Sequence, residues 1–150
     1  MRRSDRMITI TEARSLLEKG EYGVLSTVSP DGEPYGLPLN YCVIDGSIFF
    51  HGAREGRKID NILGNPSVSF CVVGKWEVLP AEFATNYESC IVQGWASEVF
   101  GEEKALALEG LIAKYSPNHI AAGLQYQENF SSQTRVFKIA IQSLAGKARR

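Results

Sequence analysis

Ser47-Ile48-Phe49-Phe50-His51-Gly52-Ala53-Arg54-Glu55-Gly56-Arg57-Lys58-Ile59-Asp60 is the stretch on which the fold turns. Its first part, Ser47 to His51, has the apolar and aromatic character of a strand. Gly52 to Gly56 is a glycine-flanked loop. Arg57 to Leu63 then carries Ile59, Ile62 and Leu63 at helical spacing until Gly64-Asn65-Pro66 ends it. A strand end, a flexible turn and two adjacent cations in the first turn of a helix therefore stand in a row. That arrangement suits a phosphate: helix N-terminal amides point outward with partial positive charge, Arg offers a bidentate fork and Lys a point charge. Cations oppose the dipole at an empty helix N-terminus, so a bound anion would compensate them. The competing reading has Arg57 and Lys58 solvated or paired with Glu55 and Asp60.

Upstream, Thr9-Ile10-Thr11-Glu12 has capping-box spacing and predicts a helix with Ala13, Leu16 and Leu17 on its apolar face and Gly20 as an αL stop. Tyr22 to Val28 and Tyr35 to Val43 read as two strands joined through Ser29-Pro30-Asp31-Gly32, and Asp45-Gly46 turns the chain into Ser47 to His51. Downstream, Ser67 to Val73 is a strand. Gly74 to Asn86, which lacks periodicity and contains Pro80, reads as a loop over a site. Tyr87 to Val99 is a strand, Glu102 to Tyr115 a helix broken at Ser116-Pro117-Asn118, and a weaker helical piece follows. Thr134 to Ile141 alternates as a last strand buried on one side. Short antiparallel strands with a few helices predict a mainly β fold, a six-stranded barrel with α covers, in a single domain over 1–150.

Sixteen Lys plus Arg against seventeen Asp plus Glu leave no field to draw nucleic acid or an anionic membrane. The basic residues Arg2, Arg3, Lys147, Arg149 and Arg150 read as solvated tails. Cys42, Cys71 and Cys90 are odd in number and set among apolar neighbours, as buried thiols are in a reducing compartment. With no signal-like segment or membrane-length run, the expectation is a cytoplasmic protein. Two histidines without metal spacing, and no GxSxG, P-loop or GxGxxG, remove the hydrolase, nucleotidase and metal-site readings.

Tyr35-Gly36-Leu37-Pro38-Leu39-Asn40-Tyr41, the stretch Ile48 to Asp60, Tyr87-Glu88-Ser89-Cys90-Ile91-Val92-Gln93-Gly94 and Gly146-Lys147 together resemble the pyridoxamine phosphate oxidase-like superfamily, with its nitroimidazole-resistance-type branch the nearest pattern. The resemblance implies a split-barrel homodimer with FMN in clefts at the subunit interface. Carried over by position, Arg57 and Lys58 would hold the FMN phosphate, and Pro38, Leu39, Asn40, Tyr41 and Cys42 would run along the flavin ring. Phe50, His51 and Gly52 would flank the ring and ribityl chain, and Ser89 would come from the partner subunit.

The implied activity is an FMN-dependent oxidoreductase passing electrons from NAD(P)H to a small planar acceptor such as a nitroaromatic or quinone. The alternative is a non-catalytic flavin- or haem-binding protein, with His51 as axial ligand in the haem version. The ending Phe137 to Gln142 followed by Gly146-Lys147 lacks the Trp and Arg-x-His-type substrate grip of true pyridoxamine phosphate oxidases, so vitamin B6 oxidation is not expected and no catalytic residue is assigned. Tyr41 and Phe50 equally suit core packing, and Asn40 could face solvent. His119 reads as structural, Trp95 as interface packing and Trp76 as a ligand cover.

Overall fold

The computed structural model describes residues 4–150; Arg2 and Arg3 lie outside the described residues. The elements run α1 (Ile10–Lys19), β1 (Gly23–Val28), β2 (Pro34–Leu39), β3 (Cys42–Ile44), β4 (Ser47–Gly52), α2 (Arg57–Gly64), β5 (Ser67–Leu79), β6 (Ala84–Val99), α3 (Gly101–Tyr115), α4 (Ile120–Phe130) and β7 (Arg135–Arg149). The fold is mainly β, with one antiparallel sheet in the order β2-β1-β5-β6-β7-β4-β3.

The outermost strands, β2 and β3, are separated in the chain only by Asn40 and Tyr41. So short a link brings the two edges together and forces the sheet to curl into a barrel. Among the described residues no ladder joins β2 to β3, which leaves the barrel split at that seam. Tyr115 closes it from α3. Its hydroxyl accepts from the Tyr41 N–H (3.1 Å) and lies within donating distance of the Glu21 carbonyl (2.6 Å) and the Tyr41 carbonyl (3.1 Å). Backbone groups that a ladder would have paired are thereby satisfied.

This seam corrects the expected strand count to seven. Tyr35 to Val43 is two strands because the chain changes partners at Asn40-Tyr41: Pro34–Leu39 pairs with β1, whereas Cys42–Ile44 pairs with β4.

The barrel interior is filled by Tyr41, Ile48, Phe50, Phe70, Val72, Val92, Phe137 and Ile139. A second cluster, Cys42, Phe49, Val99, Ala107, Leu111 and Val136, lies beneath α3 on the outside of the barrel. The start of β7 is consequently buried on both faces, Phe137 inward and Val136 under the helix, rather than on one. Phe50 and Phe137 stack at 5.6 Å, and truncating either to alanine would cost about 3–5 kcal/mol.

Three further expectations change. The capping box at Thr9 and Glu12 forms, but Gly20 ends α1 in an extended conformation (φ −62°) rather than αL. It is glycine because a Cβ there would stand 2.4 Å from Val72 Cγ1 and 2.6 Å from the Tyr41 hydroxyl. Gly74 to Asn86 is an extended hairpin arm: β5 continues to Leu79, a short 3-10 turn covers Pro80–Glu82, and β6 starts at Ala84. β7 also runs on beyond Ile141 to Arg149 alongside β6.

Candidate functional site

The position of α2 follows from its sequence. Ile59 and Ile62 enter the barrel core, and Asn61, buried between them, donates from Nδ2 to Thr27 Oγ1 on β1 (3.0 Å). Thr27 Oγ1 in turn donates to the Tyr35 carbonyl on β2 (3.3 Å). This buried polar chain fixes the helix against β1 and β2, since leaving Asn61 unpaired would cost about 1–3 kcal/mol. The helix begins at Gly56 (φ 143°), with no side chain capping its first amides.

Two cations leave that first turn in different directions. Lys58 folds back over Gly52 at the end of β4, and its Nζ lies 5.9 Å from the centre of the Phe50 ring. Burial lowers the Lys58 pKa. Among the described residues no carboxylate forms an ion pair with it. Arg57 points toward β2: its Nη2 meets Glu33 Oε2 at 2.9 Å, and its guanidinium lies 4.6 Å from the centre of the Tyr35 ring. The carboxylate that pairs with Arg57 is therefore Glu33, in the turn before β2, and not Glu55 or Asp60. That pair is exposed and worth less than about 1 kcal/mol.

The other residues singled out from the sequence fall into separate places. Gly52 and His51 adjoin Lys58. The His51 side chain reaches solvent at its edge, yet its partly desolvated surroundings, and then the Lys58 charge, lower the imidazole pKa below the ordinary 6.5. Tyr41, Cys42 and Phe50 have buried side chains: Tyr41 donates to the Leu17 carbonyl, Cys42 lies under Ala107 with its thiol pushed up to about 11 by burial, and Phe50 stacks on Phe137. The side chains of these three are therefore closed to a ligand. Pro38 and Asn40 are exposed and Leu39 half-buried along the end of β2.

Ser89 sits on the outer face of the sheet between Val73 and Lys147. On that face one cross-strand row runs Pro38, Val24, Cys71, Ile91 and Ala145, with Val73 and Trp95 nearby. Val24, Val73, Ile91 and Trp95 are exposed there, an apolar surface wider than isolated residues would make. Trp76 is exposed on the hairpin arm, and the His119 backbone starts α4.

On the outer side of β4, α3 and α4 border a half-open pocket of about 250 Å³ lined in part by Asn40, His51, Tyr115, Tyr126, Gln127 and Phe130. The weaker helical piece expected after Asn118 is α4, and with no buried residue it had no face to mark Tyr126, Gln127 and Phe130 as pocket residues. A wider groove of about 1120 Å³ lies between α1 and the hairpin arm and is lined by mixed charges, including Glu12, Lys19, Glu88 and Arg150. Trp76, read from the sequence as a ligand cover, lines it, and none of the flavin-binding candidates does.

A family model described as pyridoxamine 5'-phosphate oxidase matches residues 9–148. The chain belongs to the pyridoxamine 5'-phosphate oxidase family. Among solved structures, this family member is similar to a candidate 5-nitroimidazole antibiotic resistance protein from Bacteroides thetaiotaomicron, with 19% identity, a TM-score of 0.77, and 95% of this chain and 86% of that one covered. A FAD-binding protein from Mesorhizobium loti is similar at 22% identity and a TM-score of 0.67, over 97% of this chain and 98% of that one. HutZ, a haem storage protein from Vibrio cholerae, is similar at 17% identity and a TM-score of 0.68, over 90% and 92% of the two chains. At these identities the likeness establishes the split-barrel fold. A search among curated proteins found no relative by sequence. Among the described residues no helix is long and apolar enough to cross a membrane, and no group of His, Cys, Asp and Glu could hold a metal ion.

Proposed function

We propose that this family member is a homodimeric flavoprotein that binds FMN with the phosphate at the start of α2, and that it acts as an oxidoreductase on a small planar substrate. The observation that carries the reading is Lys58 lying over Gly52 beside an uncapped helix start, with no carboxylate paired to it among the described residues. A desolvated ammonium next to free helix amides is stabilised by a doubly charged phosphate. The residues fit the group: Gly52 leaves room for the lysine, Lys58 supplies a point charge, and Arg57 can exchange the exposed Glu33 carboxylate for a phosphate oxygen. Pro38, Leu39, Asn40 and the backbone of Tyr41 and Cys42 then lie along the ring, with Phe50, His51 and Gly52 beside it. Ser89 stands on the apolar outer face that suits a second copy, which would bring it to the partner's site.

When bound, flavin supplies one- and two-electron chemistry. The chain's own residues bind the phosphate, exclude water with the barrel wall and hold a neutral imidazole at His51, able to accept or donate a proton. The flavin-binding name of the Mesorhizobium loti structure supports the cofactor class.

A second reading, non-catalytic flavin or haem storage, is favoured by His51 itself: a neutral imidazole at a cavity edge suits an axial ligand, and the Vibrio cholerae neighbour is named for haem storage. The visible spectrum of the purified protein separates the two, with twin flavin bands expected and a Soret band supporting the haem version. NAD(P)H consumption with a quinone or nitroaromatic then tests turnover; bound flavin that is never reduced and reoxidised would leave the storage reading. Light scattering should give the mass of a dimer.

A further inference from the structure

Arg135 opens β7 directly opposite Gly52, the glycine over which Lys58 folds. Cross-strand partners share a face of the sheet, and the next pair on that face, Phe50 with Phe137, is the stacked pair of the barrel interior. The Arg135 guanidinium lies 5.6 Å from the centre of the Phe137 ring, much as the Lys58 ammonium lies 5.9 Å from that of Phe50. A further cation therefore stands at the end of the barrel where α2 begins.

Its partners give it a different task from that of Lys58. One edge of the guanidinium is taken by Glu98 on β6: Nε donates to Oε1 (2.9 Å) and Nη2 to Oε2 (2.5 Å). This partly buried, two-pronged pair matches the charge of Arg135 and holds the Glu98 carboxyl below the ordinary carboxylate range. The remaining nitrogen, Nη1, donates to the Arg54 carbonyl (3.2 Å) in the loop 53–56 between β4 and α2. Among the described residues it is the only side-chain hydrogen bond made to that loop. Asp60 on α2 adds a weaker attraction for the guanidinium. The loop ends at Gly56, whose φ of 143° leads the chain into the helix. Its path sets where the first helical amides and the Lys58 side chain stand, and a glycine-flanked loop has little stiffness of its own.

We propose, on the reading that FMN places its phosphate at the start of α2, that Arg135 is a positioning residue of that site: anchored by Glu98, it holds the Arg54 carbonyl and so fixes the loop that aims the helix amides and Lys58 at the phosphate. Arg135 itself touches no ligand in this role, because Glu98 already matches its charge.

The test is the ratio of FMN to riboflavin affinity, titrated by flavin fluorescence on the full chain in the wild type, Arg135→Lys and Glu98→Gln. Lysine keeps the charge but not the fork, so it serves Glu98 or the Arg54 carbonyl and not both. Each variant should lower the ratio about fivefold, the worth of roughly one hydrogen bond, with riboflavin affinity unchanged. Amide hydrogen exchange should quicken over residues 54–58 in both variants while the β5–β6 ladder keeps its protection. Arg135→Gln carries the same expectation should the lysine variant fail to fold. A high wild-type ratio that the variants keep, an equal loss for both flavins, or loop amides that exchange as in the wild type would overturn the inference and leave the phosphate reading standing. Tighter FMN binding in Glu98→Gln would also overturn it, by showing that the freed guanidinium reaches the phosphate. A wild-type ratio near one would sink the phosphate reading, and this inference with it.

Discussion

Lys58 lies so close over Gly52 that a Cβ at position 52 would stand 2.7 Å from its Cε and 2.9 Å from its Nζ. The contact ties the end of β4 to the first turn of α2 and sets where the ammonium can be. Gly52→Ala should therefore move the lysine tail while leaving the backbone intact. We expect FMN affinity to fall about tenfold with less than about 1 kcal/mol lost in stability, because a flexible side chain yields cheaply. Fluorescence titration with FMN and a urea melt check the two halves.

Glu33 competes with any phosphate for Arg57. Glu33→Gln should free the guanidinium at a stability cost below about 1 kcal/mol, since the pair is exposed. FMN should then bind more tightly by a few-fold and with a steeper dependence on salt. Unchanged affinity would show that Arg57 keeps to β2 in the bound state.

His51 gives a pH signature. Its folded pKa is lowered from 6.5, first by desolvation and then by Lys58, so the unfolded chain takes up a proton before the folded one does. Stability contributed by this group is full above pH 6.5 and is lost as the pH falls from there toward the folded value. His51→Gln should flatten that part of the stability profile. FMN, by adding negative charge beside Lys58, should raise the His51 pKa, which proton NMR can follow because the chain has only two histidines.

Gly94 tests the architecture independently of any ligand. A Cβ there would stand 2.3 Å from the Ala140 carbonyl oxygen and 2.8 Å from Ile139 Cγ2, at the point where the β6–β7 register shifts. Backbone cannot step aside as a lysine tail can. Gly94→Ala should cost about 3 kcal/mol or more in chemical denaturation.

These contacts also show what the sequence could and could not carry. The capping box, the α2 helix and the strand before it were legible because each is a local pattern, and the whole motif pointed to the family that the chain proves to belong to. The seam at Asn40-Tyr41 was not, because no Gly or Pro marks it and the break exists only through the pairing of Tyr41 with Tyr115 on α3. The arm from Gly74 to Asn86 was hidden for the opposite reason. Lys75 and Glu77 alternate with Trp76 and Val78, but all four are exposed and Pro80 cuts the run short, so the pattern is too brief to mark a strand. Of the site, the cations and His51 could be found from composition and order. Glu33 could not, since its role depends on a neighbour 24 residues away.

The claim at the centre is that the start of α2 exists to hold a phosphoryl group, and comparing FMN with riboflavin isolates that group. Wild-type protein should bind FMN at least about a hundredfold more tightly than riboflavin, and Arg57→Ala with Lys58→Ala should reduce the ratio to near one while riboflavin affinity stays the same. Equal binding of the two flavins by the wild type, or a preference that persists in the double variant, would contradict it.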